Sequence, residues 1–244
     1  MPNQSNCEHP AILLYRRLSE FGGKAKDQVP AFVQKTNAAY ANPAYQVLFP
    51  LIQSRQQAAR SAHQNAGWAV QVIQAKVNWR LAVGLSYGRL WDVGFQLHPL
   101  YGIPYLPASG IKGALRRWAD ETETANIDTI FGTTSQQSQV VLFDAFPTTK
   151  GQLLQADVLN KHHKNYYEAK PNEIKPPTDY DTPEPVNFLT IKRGVRFSIS
   201  FAIRPGADPA VSPIAVKNLI LSCLRIAGLG AKTAKGYGRM QPDA

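Results

Sequence analysis

An α+β fold is predicted by three features of the sequence. Residues 10–66 show the apolar spacing of helices, several later runs show the period of two that is typical of strands, and two capped helices fall between those runs. The chain has 244 residues, 44% of them hydrophobic, which is enough to bury a substantial core. We therefore expect a helical N-terminal extension, residues 1–66, followed by a mixed domain, residues 67–244.

The N-terminal extension is predicted to contain two main helices. Pro10 suits the first turn of one helix, and a second helix is expected over about residues 44–65, with Pro50 near its start. The later part of this second helix carries arginines and many amides, which is typical of a solvated face. We interpret the extension as a cap without chemistry of its own.

The first half of the mixed domain is predicted to form strands and one helix. Apolar and other residues alternate over residues 79–85, which indicates a half-buried strand, and residues 93–98 indicate a second, shorter one. Ser109 is a natural N-cap for a helix that runs to about Glu121. The buried stripe of this helix is predicted to comprise Ile111, Leu115 and Trp118.

The second half is predicted to contain three further strands and a helix. Residues 140–146 and 195–203 have strand patterns, and a turn at Arg193 predicts that the second of these pairs with residues 188–192 as a hairpin. Ser212 and Pro213 are expected to open a helix that ends near Gly228, before a last strand over about residues 237–240. The order strand, helix, strand, strand, helix, strand is that of a ferredoxin-like (RRM-like) fold.

Residues 157–186 do not resemble core sequence. This segment contains five prolines and is too long for a simple connection within a domain, so we interpret it as an inserted loop. Four of its aromatic and basic side chains are candidates for contact with RNA or with a neighbouring subunit: His162, His163, Tyr166 and Tyr167.

The charge of the chain favours a polyanionic partner. Lysine and arginine number 27 against 17 acidic residues, giving a net charge of +10, and nucleic acid is the commonest polyanion that such a protein meets. Cys7 and Cys223 have no metal-ligand spacing, so we expect neither a metal nor another cofactor. Without an apolar run long enough to span a bilayer or a leader at its start, the chain is expected to be cytoplasmic, with no membrane partner and no small-molecule substrate.

The helix that begins near Ser109 is the first candidate binding element. Ser109, Lys112 and Arg116 fall on one stripe opposite the apolar one, and the unpaired amides of a helix start favour an anion. Gly110 and Gly113 would let a phosphate approach. An ordinary amphipathic helix is the alternative, but it does not need two glycines that each cost about 1 kcal/mol relative to alanine.

A glycine-rich segment near the C-terminus, residues 228–239, is the second candidate. It superficially resembles a nucleotide-binding P-loop, yet Ala231 precedes Lys232 and the segment follows a helix instead of a strand. Backbone amides freed by glycine, together with cations and an aromatic ring, suit a single-stranded polynucleotide better. The candidate RNA-binding residues here are Gly228, Gly230, Lys232, Lys235, Gly236, Tyr237 and Arg239.

Seven motifs in the same order resemble the RAMP superfamily, in the form found in type III-B CRISPR (Cmr) effector complexes. They cover about residues 79–240 and comprise residues 79–85, 97–105, 109–116, 130–132, 157–167, 177–181 and 228–238. The resemblance implies a ferredoxin-like core and a subunit that caps the tail of a filament and binds the 3′ part of a CRISPR guide RNA in antiviral defence. It also implies target RNA and other Cmr subunits as partners, with cleavage performed by neighbouring subunits.

Two other classes of function stay open on the sequence. A metal-independent endoribonuclease of the RAMP type is one, because His98, His162 and His163 could act as general acids or bases. No second catalytic group stands at a motif spacing from them. The other is a pure assembly protein whose basic surface meets an acidic partner.

Overall fold

The computed structural model describes residues 9–10, 25–86, 93–161, 166, 176 and 183–243. The helices are α1 (Ala25–Ala41), α2 (Pro43–Gln46), α3 (Leu48–Asn65), α4 (Ala108–Glu121), α5 (Ile127–Phe131), α6 (Pro213–Arg225) and a 3-10 turn (Thr233–Lys235). The strands are β1 (Ala69–Val77), β2 (Val140–Leu142), β3 (Phe146–Pro147), β4 (Leu154–Lys161), β5 (Glu184–Ile191), β6 (Arg196–Ile203) and β7 (Met240–Pro242). The mixed α+β class predicted from the sequence is confirmed.

The main sheet is antiparallel and is built around β6. Its strand order is β2-β6-β1-β7, and β3 pairs with β6 beyond the end of β2. One face of β6 is apolar through Phe197, Ile199 and Phe201, all fully buried. Helices α4 and α6 pack on each other and on strands of this sheet, and their apolar stripes complete the core.

The opposite face of the same sheet is polar and faces α3. Ser198 and Ser200 on β6 are buried, so β6 is covered on both faces and does not show the half-buried alternation that its sequence suggests. Arg60 of α3 reaches Ser200, with 3.4 Å between Nη1 and Oγ. The N-terminal extension is therefore a layer packed on the sheet.

A second, two-stranded sheet pairs β4 with β5. Residues 157–161 and 184–186, at the two ends of the expected insertion, belong to these strands, so the inserted segment is shorter than predicted. Helix α1 packs on this sheet. The Asn37 side chain of α1 forms hydrogen bonds of 2.8 to 3.0 Å with the backbone of Leu153 and Leu154.

The predicted hairpin around Arg193 is wrong. The turn is present, but β5 before it pairs with β4, while β6 after it pairs with β1, β2 and β3. The Gly194 N–H donates to the carbonyl oxygen of Val77 on β1. The turn thus passes the chain from one sheet to the other.

The sequence also misplaced several strands: β1 (Ala69–Val77) precedes the first strand that was predicted, over residues 79–85. Residues 79–85 form isolated bridges at Leu81 and Ala82 instead of a strand, and residues 93–98 contribute a single bridge between Leu97 and Pro104. The expected strand over residues 140–146 is divided into β2 and β3. Leu81, Ala82 and Val83 are all buried, and Leu81 pairs with β5 only through one bridge to Ile191, so the alternation in the sequence does not correspond to one buried and one exposed face of a strand.

Helix ends were predicted with mixed success. The Ser212 side chain accepts a hydrogen bond from the Ala215 N–H, and Pro213 opens α6, as expected. The break between α2 and α3 at Val47 divides the helix predicted over residues 44–65. Pro10 is helical, and the remainder of the helix predicted after it lies outside the described residues.

Candidate nucleic-acid interface

Helix α4 begins two residues earlier than the sequence suggested, and Ser109 is not its N-cap. Pro107 occupies that position without a side-chain bond, and the Ala108 N–H donates instead to Oδ1 of Asp144 at 2.7 Å. Ser109 and Gly110 fall in the exposed first turn, where backbone N–H groups have no acceptor within the helix. The start of α4 therefore presents amides at an exposed surface.

The two glycines of α4 are not required by packing. A Cβ built on Gly110 or on Gly113 would meet no atom within 4 Å. Each glycine costs a helix about 1 kcal/mol relative to alanine. No packing contact of the described chain offsets this loss of helix stability. Such a loss is expected where a surface is kept open for a ligand.

The two cations of α4 have different surroundings. Lys112 is half-buried beside a cavity of about 400 Å³ that Trp68 and Arg204 also line. Arg116 instead holds α4 to the segment that follows it, because its guanidinium donates to the Gly132 carbonyl and pairs with Asp128, with 2.7 Å between Nη2 and Oδ1. Lys112 is thus the freer of the two charges for an external anion.

The glycine-rich segment is a tight loop that packs on itself and on residues 80–82. Gly228, Gly230 and Gly238 all have φ between +75° and +84°. A Cβ on Gly230 would lie 2.3 Å from the Ala82 carbonyl oxygen, and one on Gly238 would lie 1.8 Å from that of Leu229. The fold itself therefore requires these glycines.

Gly236 and the cations of the loop are placed differently. Gly236 has φ +89°, yet a Cβ there would meet nothing within 4 Å. Lys232 stands at the start of the 3-10 turn with φ +58°, and Lys235 and Arg239 are exposed. The open part of the loop is thus the stretch that carries its positive charge.

Tyr237 does not occupy the base-stacking position that the sequence suggested. It is only 5% exposed, its ring packs against Trp79 and Phe188, and its hydroxyl donates to Oδ2 of Asp157 at 2.7 Å. Burial raises the pKa of Tyr237 to about 12, and the bond to Asp157 acts in the same direction. Asp157 also pairs with Arg80, so Tyr237 fastens the loop to β4.

Trp79 is the exposed aromatic beside this loop. Its side chain is 44% exposed, it lies on the Tyr237 ring with centroids 4.8 Å apart, and the Arg80 guanidinium is 5.1 Å from its centroid. The sequence assigned Trp79 to the buried side of a strand, since it alternates with Leu81 and Val83. The chain bends at residues 78–79, and this bend turns the Trp79 ring outward.

The structure brings the two predicted binding elements together. Ser109 and Gly110 of α4 line the same cavity, of about 430 Å³, as Leu229 and Gly230 of the loop. Gly84, Gln96 and Tyr105 also line it, and the amide of Gln96 donates to the Tyr105 hydroxyl at 3.1 Å. Segments more than one hundred residues apart in sequence thus border one groove.

The model of one family, the RAMP superfamily, matches residues 91–241, more than half of the chain. The chain belongs to the RAMP superfamily. The resemblance seen in its ordered motifs is confirmed, and both α4 and the glycine-rich loop lie within the matched residues.

Two curated relatives of this RAMP protein are subunits of CRISPR systems. It is 27% identical over 227 aligned residues to the CRISPR system Cmr subunit Cmr6 of Pyrococcus furiosus, covering 68% of this chain and 66% of the relative. It is 31% identical over 160 residues to CRISPR system CMR subunit Cmr6 of Saccharolobus solfataricus, covering 64% and 51%. The chain therefore spans less than two thirds of the length of either relative.

A solved structure has the same fold. A chain in the cryo-EM structure of the type III-B Cmr-beta bound to cognate target RNA superposes with a TM-score of 0.65 at 22% identity, covering 91% of this RAMP protein and 76% of that chain. At this level of identity the likeness concerns the fold alone.

The histidines of the endoribonuclease hypothesis are only partly described. His98 stacks on Tyr101 with centroids 4.4 Å apart and meets Tyr105 edge-on, and burial lowers its pKa. Tyr166 is 40% exposed, whereas His162, His163 and Tyr167 lie outside the described residues. Within the described ranges, no group of three or more His, Cys, Asp or Glu could hold a metal ion, and no helix is long and apolar enough to cross a bilayer.

Proposed function

We propose that this RAMP protein is the Cmr6-type, sixth subunit of a type III-B CRISPR effector ribonucleoprotein, and that it binds RNA without cleaving it. The observation that carries the proposal is the shared groove between the start of α4 and the glycine-rich loop. Both curated relatives are Cmr6 subunits, which supports the assignment to this kind of complex.

The ferredoxin-like arrangement is part of the proposal. The strand order β2-β6-β1-β7, with α4 before β2 and α6 between β6 and β7, supports a split βαβ core preceded by the helical extension. We place the boundary at about residue 66, where α3 ends and β1 follows.

RNA contacts follow from the chemistry of the groove and its borders. Phosphates are bound by the amides of Ser109 and Gly110 and by the side chains of Lys112, Lys232 and Lys235, because helix starts and cations both favour anions. The open surfaces at Gly113 and Gly236 leave room for the backbone of the strand. A base stacks on Trp79, the exposed ring beside the loop.

Guide RNA is the proposed ligand, through its 3′ part, with target RNA paired to it and other Cmr subunits as neighbours. The resemblance to the family supports this position at the tail of the filament. Tyr166 and the adjacent His162, His163 and Tyr167 are proposed to contact RNA or a neighbouring subunit.

A binding role is favoured over cleavage by the position of His98. Its ring packs in an aromatic cluster with Tyr101 and Phe146, and the carboxylate that acts on its pKa, Asp144, accepts the Ala108 N–H at the start of α4. The purified chain is accordingly expected to leave single-stranded RNA intact over hours, with or without divalent metal.

Co-expression with the other Cmr subunits tests the proposed function. RNA should co-purify with the wild-type complex and be depleted when Lys112 and Lys235 are replaced by alanine. An assembly protein without RNA contacts predicts instead the same RNA content in both complexes, and a binding affinity that barely changes with salt. Robust cutting by the isolated chain would overturn the non-catalytic role.

A further inference from the structure

A cavity on the far side of the molecule is not used by the proposed function. It lies between α3 and the polar face of the main sheet, has a volume of about 470 Å³, and is lined by side chains of α3, β1 and β6 together with Thr148. This volume falls within the range of small-ligand sites, roughly 300 to 1,000 Å³. None of its described lining residues is a carboxylate.

The helix face that borders this cavity is polar. Gln53, Ser54, Gln57 and Arg60 recur at the spacing that places them on one side of α3, towards the sheet. The residues by which α3 packs on the core, Phe49 and Ile52, do not line the cavity. Gln53, Ser54 and Gln57 are exposed and Arg60 is half-buried, so this face presents hydrogen-bond donors and acceptors to a polar ligand at the open mouth of the cavity.

The sheet side of the cavity is also polar. Gln74 on β1 is the register partner of Ser198 on β6, and its amide donates to the Ser198 hydroxyl at 3.2 Å. Ser198 is only 6% exposed. Hydroxyls and amides thus face each other across the space, offering both donors and acceptors.

Arg60 supplies the charge of the cavity. Its guanidinium donates to Oε1 of Gln57 at 2.9 Å and approaches Ser200 at 3.4 Å, so its described partners are neutral. Burial lowers its pKa, and no carboxylate offsets that effect. A partly buried cation whose described partners are all neutral favours an anionic ligand.

We propose that this cavity binds a ribonucleotide, with Arg60 on the phosphate and the glutamine amides on the edge of the base. Arginine is suited to phosphate because its planar fork donates two parallel hydrogen bonds. Glutamine pairs in the same bidentate manner with adenine. The nucleotide is either free or part of an RNA strand; Lys76, which follows Gln74 by two residues on the same face of β1, would meet the next phosphate of a strand.

Titration of the full-length chain with AMP, adenosine and inorganic phosphate tests the site. AMP should bind more tightly than either fragment. Arg60→Gln should weaken AMP at least tenfold, and Ser54→Tyr, which fills the cavity and keeps the arginine, should do the same. Arg55→Gln is the matched control, since it removes one charge from the same helix outside the cavity and should leave the AMP affinity unchanged. Thermal unfolding checks that each variant is folded.

A competing oligoadenylate RNA distinguishes the two sources of the nucleotide. If RNA displaces AMP and Arg60→Gln lowers the RNA affinity, a strand occupies the cavity; if AMP binds and RNA does not displace it, the ligand is a free nucleotide. Folded Arg60→Gln that binds both AMP and RNA like wild type would overturn the proposal, as would absence of AMP binding together with an unchanged RNA affinity. Lys112 and Lys235 do not line this cavity, and variants at these residues test the RNA contacts of α4 and the glycine-rich loop, so the two proposals fail separately.

Discussion

Helix α4 and the glycine-rich loop use the same residue for different reasons. A side chain on Gly110 or Gly113 would enter open space, whereas one on Gly230 or Gly238 would collide with backbone at 2.3 Å or less. The sequence treats both sets alike, as glycines next to cations. The comparison teaches that a glycine-rich basic motif combines positions the fold needs with positions that leave room for a ligand.

The largest expected effect is a loss of stability on substitution of a packed glycine in the glycine-rich loop. Gly230→Val should destabilise the protein by about 3 kcal/mol or more, because both its φ of +84° and its contact with Ala82 forbid a side chain. Thermal unfolding should show a fall in Tm of roughly 6 to 12 °C. Gly236→Ala is the control, as it has a similar φ without the collision and should cost less. Equal losses for both would mean that backbone strain alone matters.

Charge removal at the open side should weaken RNA binding without unfolding the chain. Lys112→Ala with Lys235→Ala should lower the affinity for single-stranded RNA about tenfold at low salt. The slope of log affinity against log salt should fall by about 1.4, or ~0.7 for each lost phosphate contact. Lys217→Ala with Arg225→Ala, which removes two charges from the exposed side of α6, is the matched control and should change neither quantity. An unchanged slope in the double variant would remove α4 and the loop from the RNA-binding surface.

The two aromatic side chains beside the loop are expected to affect different properties, Trp79 the affinity for RNA and Tyr237 the stability of the fold. Trp79→Ala should weaken RNA binding by about 1 to 3 kcal/mol, the usual contribution of one stacked base. Tyr237→Phe should leave RNA binding unchanged and lower stability through the lost bond to Asp157. Since the folded state raises the pKa of Tyr237 to about 12, its contribution is complete below pH 10 and is lost as the pH rises towards 12. The stability difference between wild type and Tyr237→Phe should therefore shrink over that interval in chemical denaturation.

The smallest expected effect is a gain in stability. Gly110→Ala with Gly113→Ala should stabilise α4 by about 1 kcal/mol for each substitution, because alanine is the better helix former and the space is free. The same double variant should bind RNA more weakly if a phosphate backbone passes over these positions. A more stable protein with wild-type RNA affinity would show that the open surface serves another purpose.

Local signals in the sequence were sufficient for elements whose partners lie nearby. Ser212 and Pro213 open α6, and the apolar stripe of α4 is buried at Ile111 and Leu115, since a helix satisfies its backbone within itself. Strand pairing was less predictable, because nothing in residues 188–204 indicates that the two sides of the turn join different sheets. Pairing partners are chosen by long-range packing, which a single sequence does not reveal.

The candidate site was predictable in its elements and not in its details. Cations and glycines on α4 and in the loop were identified from spacing, and the structure places Ser109, Gly110 and Gly230 around one groove. The sequence predicted that Trp79 is buried and that Tyr237 is available to RNA, and the structure shows the reverse. Exposure at residue 79 depends on a bend that the alternation of apolar residues does not encode. Arg116 looked free because its acceptors, Asp128 and Gly132, follow α4 at distances that no helical spacing predicts.

Asn37 covers the start of the edge strand β4 in the small β4–β5 sheet. Its amide accepts from the N–H groups of Leu153 and Leu154 and donates to the Leu154 carbonyl, as a neighbouring strand would. Exposed strand edges are templates on which another chain can add a strand and begin to aggregate. A single side chain from α1 occupies that template where β4 starts, so another strand cannot pair with β4 at Leu154 unless it displaces Asn37.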